Sequence, residues 1–469
     1  MSRRVVAAAL VALLAAGCRD QGTPAARALP RDLTVLIVVL DACRADKLGC
    51  YGFGRATTPH LDALAGDPDG VTFTRHYVQG AWTKPSVASL FTGRFVHQHG
   101  ITGDYRALPG GAQFATQTLD ARLPTLAEQF QAAGFRTIAA VRNHHPQPAY
   151  GFARGFDEYA TGRAAHRSDA DAVDGLLAGL RAPGRVFGYL HLRGCHQPFR
   201  PPTRDAEYIA RYGTPYDEAA RQAAGVDFTG PAMCDRLRGG QATLQPPDIA
   251  FLHLIYEARL RQVDQQVVAR LVAGLRAAGR YDDTLLIITA DHGEELYDHR
   301  GYAHGHALWE EIVRVPLIVK FPRGLKPAGP ARVTALTRAI DLLPALLDFA
   351  ALPPLPGLPG RRIFAGEFAT QALTERGHFA GTIEEWTLID GDHKLIESPT
   401  GARLYDLAAD PGERHDLAAE RPDTTADLRR AAAALRADGA AHAAPTMVTE
   451  LPPGVVEKLR SLGYLESSR

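Results

Sequence analysis

From residue 33 the apolar positions alternate between two periodicities. Short runs rich in Val, Ile and Leu read as strands covered on both faces: LTVLIVVLD (33–41), RTIAAV (136–141), RVFGYLHL (185–192), TLLIITAD (284–291) and VRVPLIVKF (313–321). Between them TPHLDALA (58–65) and LPTLAEQFQAAGF (123–135) read as helices, the second stopping at Gly134. Residues 246–279 carry apolar positions three and four apart and predict one long amphipathic helix. This alternation predicts an α/β domain around a large, mostly parallel sheet. Residues 200–247, rich in Pro, Gly and charge, predict an excursion or lid. A helix near 339–350 leads into ALPPLPGLPGRR (351–362), whose Pro and Gly mark a boundary. Beyond it WTLIDGDHKLIES and RLYDL alternate as strands of a small antiparallel sheet, with a helix to follow.

The first 18 residues, MSRRVVAAALVALLAAGC, join two arginines to an apolar run and a small-residue site, the pattern of a bacterial export signal. The ending LLAAGC resembles the lipobox of bacterial lipoproteins, which implies lipidation of Cys18; plain cleavage and an uncleaved anchor are the alternatives. Residues 19–32 then read as a polar tether. The expected location is the cell envelope, lipid-anchored on the periplasmic or outer-membrane face, with the membrane as a partner through Cys18.

At 469 residues, 46% of them hydrophobic, the chain is long enough for a large domain and a smaller one. A formal net charge of +0 and the absence of basic runs give no electrostatic reason to expect nucleic acid. Cys43, Cys50, Cys195 and Cys234 allow three complete pairings, among which sequence does not choose. None forms a CxxC pair, which argues against a structural zinc site. Cys195 beside His196 suggests a thiol and its base, but neighbours on a strand point to opposite faces.

In open α/β sheets functional groups gather at the carboxyl ends of strands. Two predicted strands end in acidic residues, one at Asp41 and one at Asp291 followed by His292. Each Asp alone reads as a cap or turn residue; together with the histidine they suggest a shared divalent metal ion. Carboxylate oxygens and an imidazole nitrogen favour zinc or manganese, with calcium or magnesium tolerated less readily. In GAWTKPSVASLFTG (80–93), Pro85 and the small residues after it predict a helix starting near Thr83. Thr83 reads either as a simple N-cap or as a hydroxyl placed where unsatisfied N–H groups and the helix dipole favour an oxyanion. As a nucleophile at neutral pH it needs activation, which ligation to a metal supplies.

Taken in order, LDACRADKLGCYGFGRATTPHLDALA, WTKPSVASLFTGRFVHQHG, LHLRGCHQPFRPP and TADHGEELYDHRGYAHGHALWEEIVRVPLIV resemble the sulfatase family of the alkaline phosphatase superfamily. HKLIESPTGARLYDLAADPGERHDLA resembles that family's small C-terminal subdomain. The resemblance implies an alkaline-phosphatase-like three-layer sandwich over residues 33–360, with a C-terminal α+β subdomain over 361–469. Two features depart from it. Sulfatases carry C-x-P-S-R or S-x-P-S-R, whose first residue becomes formylglycine; Thr83, Pro85, Ser86 and Val87 stand in those slots, so neither the convertible residue nor the arginine is present. The paired Asp after the first strand is Asp41, Ala42, and the frequent Asp-Asn pair is Asp291, His292. The set Asp41, Thr83, Asp291, His292 resembles the metal ligands of the superfamily's phosphoester branch, in which a metal-bound threonine attacks phosphorus.

Other residues follow the resemblance less closely. His196 matches the histidine that contacts substrate and protonates the leaving group. His304 and His306 fall where sulfatases place a substrate-binding lysine or histidine. Lys84 either touches a substrate oxygen or faces solvent. A second metal held by some of His191, His196, His304 and His306 would resemble two-metal members, but the Asp that starts that set is not evident near His191. His99 matches a position better suited to packing. The expected activity is metal-dependent hydrolysis of phosphate mono- or diesters, on a small-molecule or envelope ester. The alternatives are sulfuric ester hydrolysis without formylglycine and a catalytically inactive surface binding protein. Transfer into lipid is the weaker form of the chemistry, because relatives that do it carry several membrane spans.

Overall fold

The computed structural model describes residues 28–461 apart from 104, 109–112, 200–204, 231, 239, 378–382 and 441–442. The export segment with Cys18, and the tether as far as residue 27, lie outside the described residues. Eight strands form the main sheet: β1 (Thr34–Leu40), β2 (Gly70–Tyr77), β3 (Arg136–Val141), β4 (Glu158–Thr161), β5 (Val186–Leu192), β6 (Thr284–Thr289), β7 (Arg314–Lys320) and β8 (Arg332–Arg338). They lie in the order β8-β2-β7-β6-β1-β5-β3-β4. All seven residues of β1 are buried, as its unbroken apolar run requires. It pairs in parallel with β5, Leu40 opposite Leu192, and with β6, Val39 opposite Thr289.

Only β7 runs against its neighbours, antiparallel to both β6 and β2. The chain leaves β6 and returns to β7 without a crossover helix, which parallel strands would need. The connection, residues 290–313, is therefore free to carry the loop TADHGEEL…HGHALWEE along the sheet's carboxyl edge. β2 and β8 join as strands that the sequence pattern did not single out, because GVTFTRHY and RVTALTR mix charge with β-branched residues.

Helices cover both faces. Leu36, Val38 and Leu40 of β1 share a core with Leu61 and Leu64 of α1 (Pro59–Ala65). α2 (Thr83–Thr92) and α3 (Leu126–Ala132) belong to the opposite layer. Val173 and Leu176 of α4 (Asp169–Gly179) return to the first layer. The predicted long helix over 246–279 forms as α5 (Pro246–Val263) and α6 (Ala269–Ala277), joined by a π-helical turn, Asp264–Val268. The Asp264 carboxylate there accepts the backbone N–H groups of His60 and Leu61 at 2.9 Å. The predicted excursion holds short helices, Ala206–Tyr212, Glu218–Ala223 and Met233–Arg238.

After α7 (Leu342–Phe349), residues 351–362 contain no helix or strand. β9 (Gln371–Gly377), β10 (Ile383–Asp390), β11 (His393–Ser398) and β12 (Gly401–Asp406) then form an antiparallel meander. Leu373, Leu388, Leu395 and Leu404 from its strands pack with Leu428 and Ala432 of α8 (Pro422–Ala440). Among the described residues no helix is long and apolar enough to cross a membrane.

Candidate active site

Three chain segments converge at the carboxyl edge of β1 and β6. Asp41 follows β1, and Ala42 at φ 58° turns the chain away at once. Tyr256 of α5 splints that turn, donating its hydroxyl to Ala42 O and accepting from Arg44 N, both at 2.8 Å. Arg44 in turn bridges to the loop after β6, donating to Asp298 Oδ2 at 2.7 Å and to Glu294 O at 3.2 Å. The two loops that carry the acidic residues are thus held by one buried guanidinium.

Thr83 is the first residue of α2; the N-cap position belongs to Trp82, which makes no side-chain cap bond. The hydroxyl is accordingly not consumed in capping. Thr83 Oγ1 lies 3.3 Å from His292 Nε2 and 3.4 Å from Asn143 Nδ2. His292 Nδ1 donates to Gly293 O at 2.8 Å, so in the neutral ring the lone pair is on Nε2. That nitrogen faces Asp41 Oδ1 at 3.4 Å and Asp291 Oδ2 at 3.5 Å.

Ligand atoms of Asp41, Asp291 and His292 lie within 4.8 Å of one another. Asp41 Oδ1, Asp291 Oδ2 and His191 Nε2 are buried with no hydrogen-bond partner. Buried polar atoms are ordinarily paired, so this group of orphans fits a divalent cation. Burial and the charge of Asp291 push Asp41 well above the usual carboxylate range. Burial acts the same way on Asp291, but His292 and His191 outweigh it and hold that carboxyl below its ordinary value. A bound cation would offset the repulsion between the two carboxylates. The donor set of two carboxylates, an imidazole and a hydroxyl suits zinc or manganese.

His304 lies against this group, its ring centroid 4.0 Å from that of His292 and 4.9 Å from that of His196. Its Nδ1 donates to Glu294 Oε1 at 2.7 Å. Glu294 is fully buried, which pushes its carboxyl up to about 7. His196 donates from Nδ1 to Gln197 O at 2.5 Å, which leaves Nε2 open. Desolvation and the neighbouring His304 and Arg193 hold His196 well below the ordinary imidazole value, so it is neutral at pH 7.

The remaining candidates go elsewhere. Lys84, expected at substrate or in solvent, is wholly buried. Its ammonium binds Thr116 Oγ1 and sits 4.6 Å from the Tyr150 ring centroid. One residue along a helix turns a side chain by about 100°, so adjacency to Thr83 does not by itself aim Lys84 at the same target. His306 Nε2 engages Glu295 Oε2 at 2.7 Å instead of the metal group. His99 bonds Ser89 Oγ and Ile101 N inside the fold. Conversely, sequence reasoning missed Asn143, which donates to Asp41 Oδ2 at 2.7 Å, and Glu294. Asn143 follows β3, a parallel strand opening on the same edge, a placement that only the strand order shows. The mixed-charge hollow of about 510 Å³ lined by Asp67, Arg276, Tyr281 and Lys320 lies at the opposite edge, before β6.

The Sulfatase family profile matches residues 34–352. The chain is 26% identical over 437 residues to the uncharacterized sulfatase YidJ of Escherichia coli K12, covering 81% of this chain and 82% of that one. It is 26% identical over 456 residues to human arylsulfatase A, covering 83% and 84%. Among solved structures it is similar to phosphonate monoester hydrolase of Agrobacterium radiobacter, with a TM-score of 0.67 at 22% identity, over 87% of this chain and 96% of that one. The matched span includes the strands that lead to Asp41 and Asp291 and the helix that begins at Thr83, and the chain belongs to the sulfatase family of ester hydrolases.

Proposed function

We propose that the protein hydrolyses phosphate mono- or diesters, with Thr83 as the nucleophile. The observation that carries this reading is the Thr83 hydroxyl at the start of α2, 3.3 Å from His292 Nε2 and beside the orphaned oxygens of Asp41 and Asp291. A divalent cation held by Asp41, Asp291, His292 and Thr83 would lower the pKa of that hydroxyl and neutralise charge on the ester oxygens. Thr83 Oγ1 attacks phosphorus in line, and the bond to the leaving oxygen breaks. The first N–H groups of α2 face the oxyanion. The proton that leaves Thr83 is taken up by a neutral imidazole, His196 at its lone-pair Nε2 or His304, and passed from it to the leaving oxygen, so that none is gained or lost. Glu294 keeps His304 turned against His292. Water then cleaves the phosphothreonine and restores the hydroxyl.

Likeness to a phosphonate monoester hydrolase supports chemistry at phosphorus, whereas arylsulfatase A supports a sulfuric ester substrate. Threonine in the formylglycine slot tips the choice towards phosphorus. Hydrolysis of an aryl phosphate, a bis-aryl phosphodiester and an aryl sulfate by the purified protein decides it: turnover of a phosphate ester is expected, and turnover of the sulfate alone refutes the reading. Absence of turnover with any ester and any metal would favour the binding-protein alternative. The export-signal reading of residues 1–18 adds an envelope location through lipid on Cys18, and Cys18→Ser is expected to abolish fractionation with membranes.

A further inference from the structure

β1 and β5 end in register, Leu40 opposite Leu192. The loops leaving them stay joined: Cys195 N donates to Asp41 O at 2.9 Å. Gly194, at φ 52°, comes so close that a Cβ there would sit 2.7 Å from Asp41 N. Three residues beyond each register partner stand Cys43 and Cys195. Both are wholly buried in one core cluster, and the neighbouring Cys195 thiol, together with burial, raises the Cys43 thiol well above its ordinary value. The backbone bond from Cys195 N to Asp41 O holds the two loops together just past the last paired residues of the strands, and a disulfide needs two Cα atoms roughly 4.4–6.8 Å apart. The other described cysteines are engaged differently. The Cys234 thiol donates to Tyr302 O at 3.7 Å, and Cys50 is only partly buried, beside Asp62.

We infer that Cys43 and Cys195 are a disulfide-forming pair that crosslinks the loop of Asp41 to the loop of His196. With glutathione disulfide as oxidant, both S–H bonds are lost and one S–S bond forms. Two electrons and two protons convert the oxidant to two molecules of glutathione. Because both thiols are sealed in the folded protein and buried thiols are inert, closure occurs during folding, before Tyr256 of α5 covers the loop. The bond then fixes the spacing of two sides of the active site.

The test is to refold the full chain from denaturant in a glutathione redox buffer, quench with N-ethylmaleimide and map peptides without reduction. One crosslink joining the peptides of Cys43 and Cys195 is expected, with Cys50 and Cys234 alkylated. Alkylation of both Cys43 and Cys195, or a crosslink from Cys43 to Cys50, overturns the inference. If refolding fails, protein purified without reductant and alkylated in denaturant is mapped in the same way, and the same outcomes decide. Reductant is expected to lower the unfolding midpoint of the wild type and leave that of Cys43→Ser unmoved.

Discussion

Two groups of buried carboxylates stand at the same edge of the main sheet and are built oppositely. Asp341, just beyond β8, is fully buried and met on every side. Its Oδ1 accepts from Arg338 Nη2 at 2.7 Å and from Arg361 N at 2.8 Å, and its Oδ2 accepts from Arg338 N at 2.7 Å. Asp41 and Asp291 are equally buried, yet each keeps an oxygen without a donor, turned towards the other and towards His292. The closed cluster is complete without a ligand and holds the entry to α7 in place. The open one gains its partner only from outside, and the Thr83 hydroxyl stands beside it at a helix start. Residue type and burial do not separate the two roles; the missing donors do.

Asp41→Asn should break the comparison most sharply. Ester turnover is expected to fall by on the order of 10³-fold, with the unfolding midpoint unchanged or raised, because a buried like-charge pair is relieved. Asp341→Asn should do the reverse, costing about 3–5 kcal/mol of stability by leaving Arg338 unpaired, while kcat/KM of the folded fraction stays at the wild-type value. Denaturant titrations and initial rates measure both.

Chelation extends the contrast: the wild type should lose turnover, and metal restored at 100 times its Kd should return about 2.7 kcal/mol of stability, whereas Asp41→Asn should show little metal-dependent shift. Glu294→Gln, which weakens the hold on His304, should lower kcat by about 10–100-fold with little change in KM. A smaller effect is expected at His299, which bonds Glu311 Oε1 at 2.9 Å. Burial opposes its charge, but Glu311 outweighs it and raises the imidazole above its ordinary value of 6.5. Its contribution is complete below 6.5 and is lost as pH rises through the raised folded value, so His299→Gln should flatten the alkaline side of the stability profile.

The site was legible where chemistry coincides with an element end. Asp41, Asp291 and His292 close apolar runs and Thr83 opens a helix, so periodicity put the first three at the carboxyl ends of strands, and the family resemblance joined Thr83 to them. Asn143 and Glu294 were hidden because their roles depend on which strands are neighbours and which loop crosses which, a matter of tertiary order rather than local pattern. Lys84 lies inside the fold and not in solvent for a related reason: sequence adjacency to Thr83 says nothing of direction around a helix. The reversal of β7 escaped as well, since a buried strand carries the same apolar run in either orientation.

The central claim, that Thr83 is the nucleophile, is tested most directly by acid-quenching the enzyme during turnover of an aryl phosphate and mapping its peptides by mass spectrometry. The account predicts one added phosphoryl group on Thr83, absent from Thr83→Ala, which is also inactive. Sustained turnover with no phosphoryl group on Thr83, or by Thr83→Ala at the wild-type rate, would contradict it.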